Sequence, residues 1–118
     1  MISRVLVATL RGRLMIVRVM GDSMTPTLAD HGLMFCERVS PFMLKRGDIV
    51  VVRALASVEH FVVKRLVGLP GDDLAQFECG FGVVPEGQGV ILSDNRLRRG
   101  DSRDIGPIPL SRVVARKL

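Results

Sequence analysis

The run Phe61-Val62-Val63-Lys64-Arg65-Leu66-Val67 decides what kind of fold this chain can adopt. Its Val and Phe residues suit a pleated, partly covered surface. Strand alternation puts His60, Val62, Lys64 and Leu66 on one face and Phe61, Val63, Arg65 and Val67 on the other. Lys64 is the awkward member, because a strand covered on both faces seldom admits a charge. Two readings stand open. On an edge strand the amine reaches water and stays charged. In a covered strand the apolar surroundings favour the neutral amine and pull its pKa down from about 10.4. A drop of roughly three units corresponds to about 4 kcal/mol, which a desolvated site can supply.

Working outward, Leu69-Pro70-Gly71-Asp72 closes this run with a turn, and Lys45-Arg46-Gly47-Asp48 feeds a second one, Ile49-Val50-Val51-Val52-Arg53. Val5–Leu10 and Leu14–Met20 flank Arg11-Gly12-Arg13, the pattern of a hairpin. Gly32 to Val39 reads as a strand ended by Ser40-Pro41, Leu74–Glu78 as a short strand, and Val90–Leu92 and Arg112–Arg116 complete the set. No long stretch carries a 3.6-residue apolar period. Short strands at close spacing with Gly and Pro punctuation predict an all-β fold, a small antiparallel barrel or sandwich. The whole chain, 1–118 with the N-terminal hairpin included, reads as one domain.

Composition narrows the function classes. Hydrophobic residues at 47% and charged residues at 25% describe an ordinary globular chain. Trp and Tyr are absent and Phe numbers five, so Val, Leu, Ile and Met must build the core. The net charge of +5 is scattered apart from Arg96, Arg98, Arg99 and Arg103, with no aromatic residue interleaved to stack on bases. No nucleic-acid partner is expected. Cys36 and Cys79 lack metal-ligand spacing, no other cluster supplies it, and no phosphate-binding glycine loop precedes a helix, so neither metal nor cofactor is expected. No run of about 20 apolar residues exists to span a membrane. The cytoplasm is therefore the favoured compartment, with peripheral membrane contact open through Val5–Leu10 and its flanking arginines.

Two more segments carry chemistry. In Gly21-Asp22-Ser23-Met24-Thr25-Pro26-Thr27-Leu28 a serine leaves a strand between Gly and a Pro-containing turn. That placement suits a nucleophile whose own N–H stabilises the oxyanion, and equally a capping serine at a strand exit. Ser93 to Gly106 is rich in Asp, Asn, Ser and Gly, the composition of a loop held by side-chain-to-backbone bonds, in which Asp101 and Arg103 can pair and Ser102 can donate into a cleft.

Ser-Met-x-Pro-Thr-Leu at 23–28, Arg-Gly-Asp-Ile-Val at 46–50, Lys-Arg-x-x-Gly-x-Pro-Gly-Asp at 64–72, and Asp-Asn-Arg at 94–96 followed by Asp-Ser-Arg-x-x-Gly-x-x-Pro at 101–109 occur in that order. Together they resemble the sequence boxes of type I signal peptidases from about Val19 to about Arg116. The resemblance implies an all-β serine endopeptidase with Ser23 as nucleophile and Lys64 as general base. It implies that Met24 helps to bury the lysine and that Asp101, Arg103 and Arg65 form a supporting ion-pair network, with Ser102 nearby. A precursor protein or peptide would add as a strand beside Arg18, Val19 and Met20 and beside Phe61, Val62 and Val63. Against the family pattern, no membrane anchor is expected, the connection from Asp72 to Ser93 is short, and Gly21 stands where some members place an oxyanion-hole serine. It also carries Arg99 where a serine commonly orients the lysine. Gly100-Asp101-Ser102 and the small size are similar to the peptidases that mature nickel superoxide dismutase. The competing readings are a LexA-like self-cleaving domain, a non-catalytic peptide-binding domain of the same fold, and a Ser–His mechanism through His60.

Overall fold

The computed structural model describes residues 4–54 and 60–118, with side chains from residue 12 onward. Eight strands are present among them: β1 (Arg4–Arg11), β2 (Leu14–Met20), β3 (Leu33–Arg38), β4 (Ile49–Arg53), β5 (Phe61–Gly68), β6 (Gln88–Leu92), β7 (Ile108–Pro109) and β8 (Val113–Lys117). They form one antiparallel sheet in the order β1-β2-β3-β8-β4-β5-β6-β7. The sheet curls until β1 also meets β5, where Arg4 lies opposite Val62. The fold is therefore all-β, as the strand pattern predicts.

Two apolar clusters sandwich the middle of this sheet. Ile49, Val51 and Val63 join Val17, Val19, Met24 and Met34 in one, while Val50, Val52, Val62 and Leu66 join Ile91 and Ile108 in the other. Alternation along β4 and β5 feeds both clusters, which is why Ile49-Val50-Val51-Val52 is apolar without a break. Burying this much branched aliphatic surface, at about 25 cal/mol per Å2, is the main force holding the sheet curled.

One expected strand is a helix. Leu74–Phe77 forms a 3-10 turn because Asp73 caps it, its carboxylate accepting from the amide of Ala75 at 3.0 Å. A second helical turn, α1 (Ser102–Ile105), sits inside the polar loop that follows β6 and is capped in the same way by Asp101. Among the described residues no helix is long and apolar enough to cross a membrane.

Candidate active site

Ser23 stands in the turn that leaves β2, where Gly21 adopts φ 105°, a backbone conformation that favours glycine. The turn is held from both ends. The amide of Gly21 donates to Asp30 Oδ1 at 2.7 Å, and that of Leu28 donates to Met24 O at 2.8 Å. The loop after β6 then clamps it from the side. The amide of Asn95 donates to Ser23 O at 2.9 Å, Asn95 Nδ2 donates to Asp22 O at 3.2 Å, and Thr27 Oγ1 donates to Asp94 Oδ2 at 2.6 Å. Arg98 grips Asp22 with two bonds of 2.8 and 2.9 Å, and this contact holds the Asp22 carboxyl below its usual range. Ser23 is buried, and its position is set by groups more than 60 residues away in sequence.

Lys64 is on β5 with Val50 of β4 opposite it, and it is fully buried. The edge-strand alternative is thereby excluded: the next residue, Arg65, already faces Leu92 of β6 on the other side. The amine Nζ lies 3.3 Å from Ser23 Oγ and 2.9 Å from Ser93 Oγ. Burial pushes the amine below its ordinary pKa; the Asp101 carboxylate pulls it back up and the Arg103 guanidinium pushes it down again. The lysine thus sits in a solvent-excluded site where Asp101 and Arg103 act on it with opposing signs.

Asp101 and Arg103 form a pair at 2.8 Å whose side chains are 0% and 6% exposed. Each is fully used. Asp101 accepts from the amides of Ser93 and Arg103, and Arg103 also donates to the carbonyls of Arg98 at 2.7 Å and Arg96 at 3.1 Å. Burial by itself would raise the Asp101 carboxyl, but these hydrogen bonds, the one from Arg103 foremost, hold it below the ordinary value.

The structure changes several expected placements. Arg65 is outside the Asp101–Arg103 pair: it lies on the opposite face of β5 from Lys64 and binds Asp94 at 2.7 Å and Gly47 O at 2.7 Å. Ser102 does not donate into a cleft through a bond seen here; its Oγ accepts from the amide of Ile91 at 2.9 Å and so braces β6. Met24 is buried in the apolar cluster that contains Val63, with its sulfur accepting weakly from the Asp94 amide at 3.5 Å. Arg99 turns away from the lysine and pairs with Asp104 at 2.9 Å. His60 is exposed at the head of β5.

The expected substrate edges are not free edges. Arg18, Val19 and Met20 are paired to Leu6, Val5 and Arg4 of β1, and Arg18 also faces Leu33 of β3. Phe61, Val62 and Val63 pair with Arg53, Val52 and Val51 of β4, and Val62 meets Arg4 on its other side. The hairpin partner of β2 fills the lane between β2 and β5. The hairpin and the two flanking segments are separate along the chain, and nothing local says that the one lies between the others.

Ser93, Asp94, Asn95, Arg98 and Asp22 were not singled out as site residues from the sequence. A signal for Ser93 did exist. It directly follows the apolar run Val90–Leu92, as Ser23 follows a strand, and a polar residue at such an exit is aimed where the strand ends.

Residues 1–78 match the family model described as signal peptidase, peptidase S26. The chain is similar to human mitochondrial inner membrane protease subunit 1, with 32% identity over 108 residues covering 86% of this chain and 65% of the human protein. It is similar to mitochondrial ATP-independent inner membrane protease subunit 1b of Arabidopsis thaliana, at 35% identity covering 83% of this chain and 64% of that one. It is also similar to signal peptidase I T of Bacillus subtilis strain 168, at 31% identity over 131 residues covering 81% and 67%. The chain thus spans about two thirds of the length of these relatives.

Proposed function

The chain belongs to the signal peptidase family, peptidase S26, and from that premise we propose that it is a serine endopeptidase that removes a leader or signal-like segment from a precursor protein, with Ser23 as nucleophile and Lys64 as general base. The observation that supports this most is the approach of a fully buried lysine amine to a buried serine hydroxyl, 3.3 Å from Nζ to Oγ. Catalytic hydrogen bonds are often long before substrate binds and tighten afterwards.

In this reading Ser23 Oγ attacks the scissile carbonyl carbon while its proton passes to the neutral Lys64 amine. The ammonium so formed protonates the departing amine, the peptide C–N bond breaks, and an acyl-enzyme remains. Water then attacks the acyl carbon with Lys64 again taking the proton, and Ser23 leaves with that proton. The resemblance assigns the oxyanion chiefly to the backbone N–H of Ser23, since that of Gly21 is given to Asp30 Oδ1. Burial matters because only the unprotonated amine can accept, and cleavage therefore rises with pH as Lys64 loses its proton.

Substrate would enter as a strand beside Arg18–Met20 and Phe61–Val63. Since β1 pairs along Arg18–Met20 and meets β5 at Val62, an incoming strand must take over backbone bonds that β1 now makes. A soluble precursor, the cytoplasm, and peripheral contact with a membrane belong to the same proposal.

The test is a peptide bearing a small-x-small motif, incubated with the purified chain and with Ser23→Ala and Lys64→Ala. Each substitution is expected to lower cleavage by about a thousandfold or more. Cleavage retained by either variant overturns the dyad, and absence of cleavage in every form favours a peptide-binding domain.

A further inference from the structure

We propose that Ser93 is the residue that positions Lys64 in this chain, doing from the end of β6 the work that the family resemblance assigns to position 99. The inference rests on the Ser23–Lys64 reading and adds a second hydroxyl to it.

Three observations carry it. First, Ser93 Oγ is the nearer of the two hydroxyls to the amine, at 2.9 Å against 3.3 Å for Ser23. Second, Ser93, Lys64 and Asp101 are all fully buried, so water does not compete for these bonds. Third, Ser93 is itself held. Its amide donates to Asp101 Oδ2 at 2.9 Å, and Asp101 is fixed by Arg103. Position 99 cannot serve, because Arg99 is a cation, carries no acceptor, and is drawn outward to Asp104, which also accepts from the amide of Gly100 at 2.7 Å.

The chemistry follows from valence. A neutral amine has two N–H bonds and one lone pair. If one N–H is committed to Ser93 Oγ, rotation about the Cε–Nζ bond is restricted and the lone pair can be kept on the side of Ser23. Without that tether the amine samples other rotations and meets the Ser23 proton less often. The same acceptor also stabilises the ammonium more than the amine, so its removal should lower the pKa of Lys64. Ser93 is a positioning residue, since it touches the base and not the reacting carbonyl.

Ser93→Ala tests this, with Ser93→Thr as the variant that keeps the hydroxyl and Ser93→Cys as the near-isosteric substitute should alanine not fold. Two readouts are taken: kcat and KM across pH on the small-x-small peptide, and the titration of Lys64 followed by NMR at its Cε, which needs no turnover. The expected result for alanine is a fall in kcat of about 10- to 100-fold with KM held, partial recovery in threonine, and a lysine midpoint lower by about one unit. A kcat within about threefold of the parent together with an unmoved midpoint overturns the assignment. If that result comes while Ser23→Ala and Lys64→Ala are inactive, only the role of Ser93 falls. If Lys64→Ala still cleaves, the dyad falls instead, while the NMR titration still reports whether Ser93 holds the amine.

Discussion

Two ion pairs lie within six residues of each other on the loop after β6, and they behave as different objects. Asp101–Arg103 has side chains 0% and 6% exposed, whereas Arg99–Asp104 has side chains 53% and 39% exposed. Both are short, at 2.8 and 2.9 Å. The difference lies in what else each group holds. Arg103 gathers the carbonyls of Arg96 and Arg98, and Asp101 gathers the amide of Ser93 and caps α1. Removing either leaves a buried charge and orphaned backbone groups. Arg99 and Asp104 are largely exposed, so water replaces Arg99 at little cost, and Asp104 has a single further dependent, the amide of Gly100. Distance alone therefore says little about an ion pair; burial and the number of dependent groups decide its weight.

That contrast can be broken or sharpened by substitution. The largest effect belongs to Asp101→Asn, which removes the charge facing Arg103 and turns an amide toward groups that need an acceptor. It is expected to lower stability by about 3–5 kcal/mol, read from urea unfolding. A variant as stable as the parent would show that the buried pair holds nothing together.

Lys64→Met comes next and goes the other way. Burial lowers the lysine pKa in the folded chain, so below about pH 10.4 the unfolded chain binds a proton that the folded chain releases. Stability of the parent should therefore fall as pH drops from about 10.4 to the lowered folded value, then level off. Methionine removes that slope. The variant should be more stable than the parent at neutral pH, on the order of 1–3 kcal/mol, with the gain vanishing above about pH 10.4. Parallel stability curves for the two proteins across this range would mean that the amine is charged in the fold.

The smallest effect is that of Arg99→Ala. Its partner is exposed and its side chain points away from the lysine, so cleavage rate and melting temperature should stay within about twofold and a degree or so of the parent. A large loss would return position 99 to the site and undercut the role given to Ser93.

Much of the architecture was legible from residues 5–20 and 49–67, because β-branched runs broken by Gly and Pro leave few alternatives to antiparallel strands. The 3-10 turn at Leu74–Phe77 was not, since four residues with an apolar side chain at each end fit a short strand as well, and only the Asp73 cap separates the two. At the site, the order of the boxes pointed to Ser23, Lys64, Asp101 and Arg103. The pairing of Arg65 with Asp94 instead of Asp101 follows from strand alternation, which was visible. The role of the polar residues at 93–98 follows from where a loop folds back, which was not.

The sequence by itself determined that this chain is a β-rich domain of the S26 kind with a lysine set into an apolar strand, because periodicity and motif order are properties of neighbours along the chain. Only the tertiary structure decided that the lysine is dry, that Ser93 rather than residue 99 touches it, and that β1 fills the lane between β2 and β5. Those are matters of which distant segments pack together, and solvent exclusion exists only once the sheet has curled and its loops have closed over it.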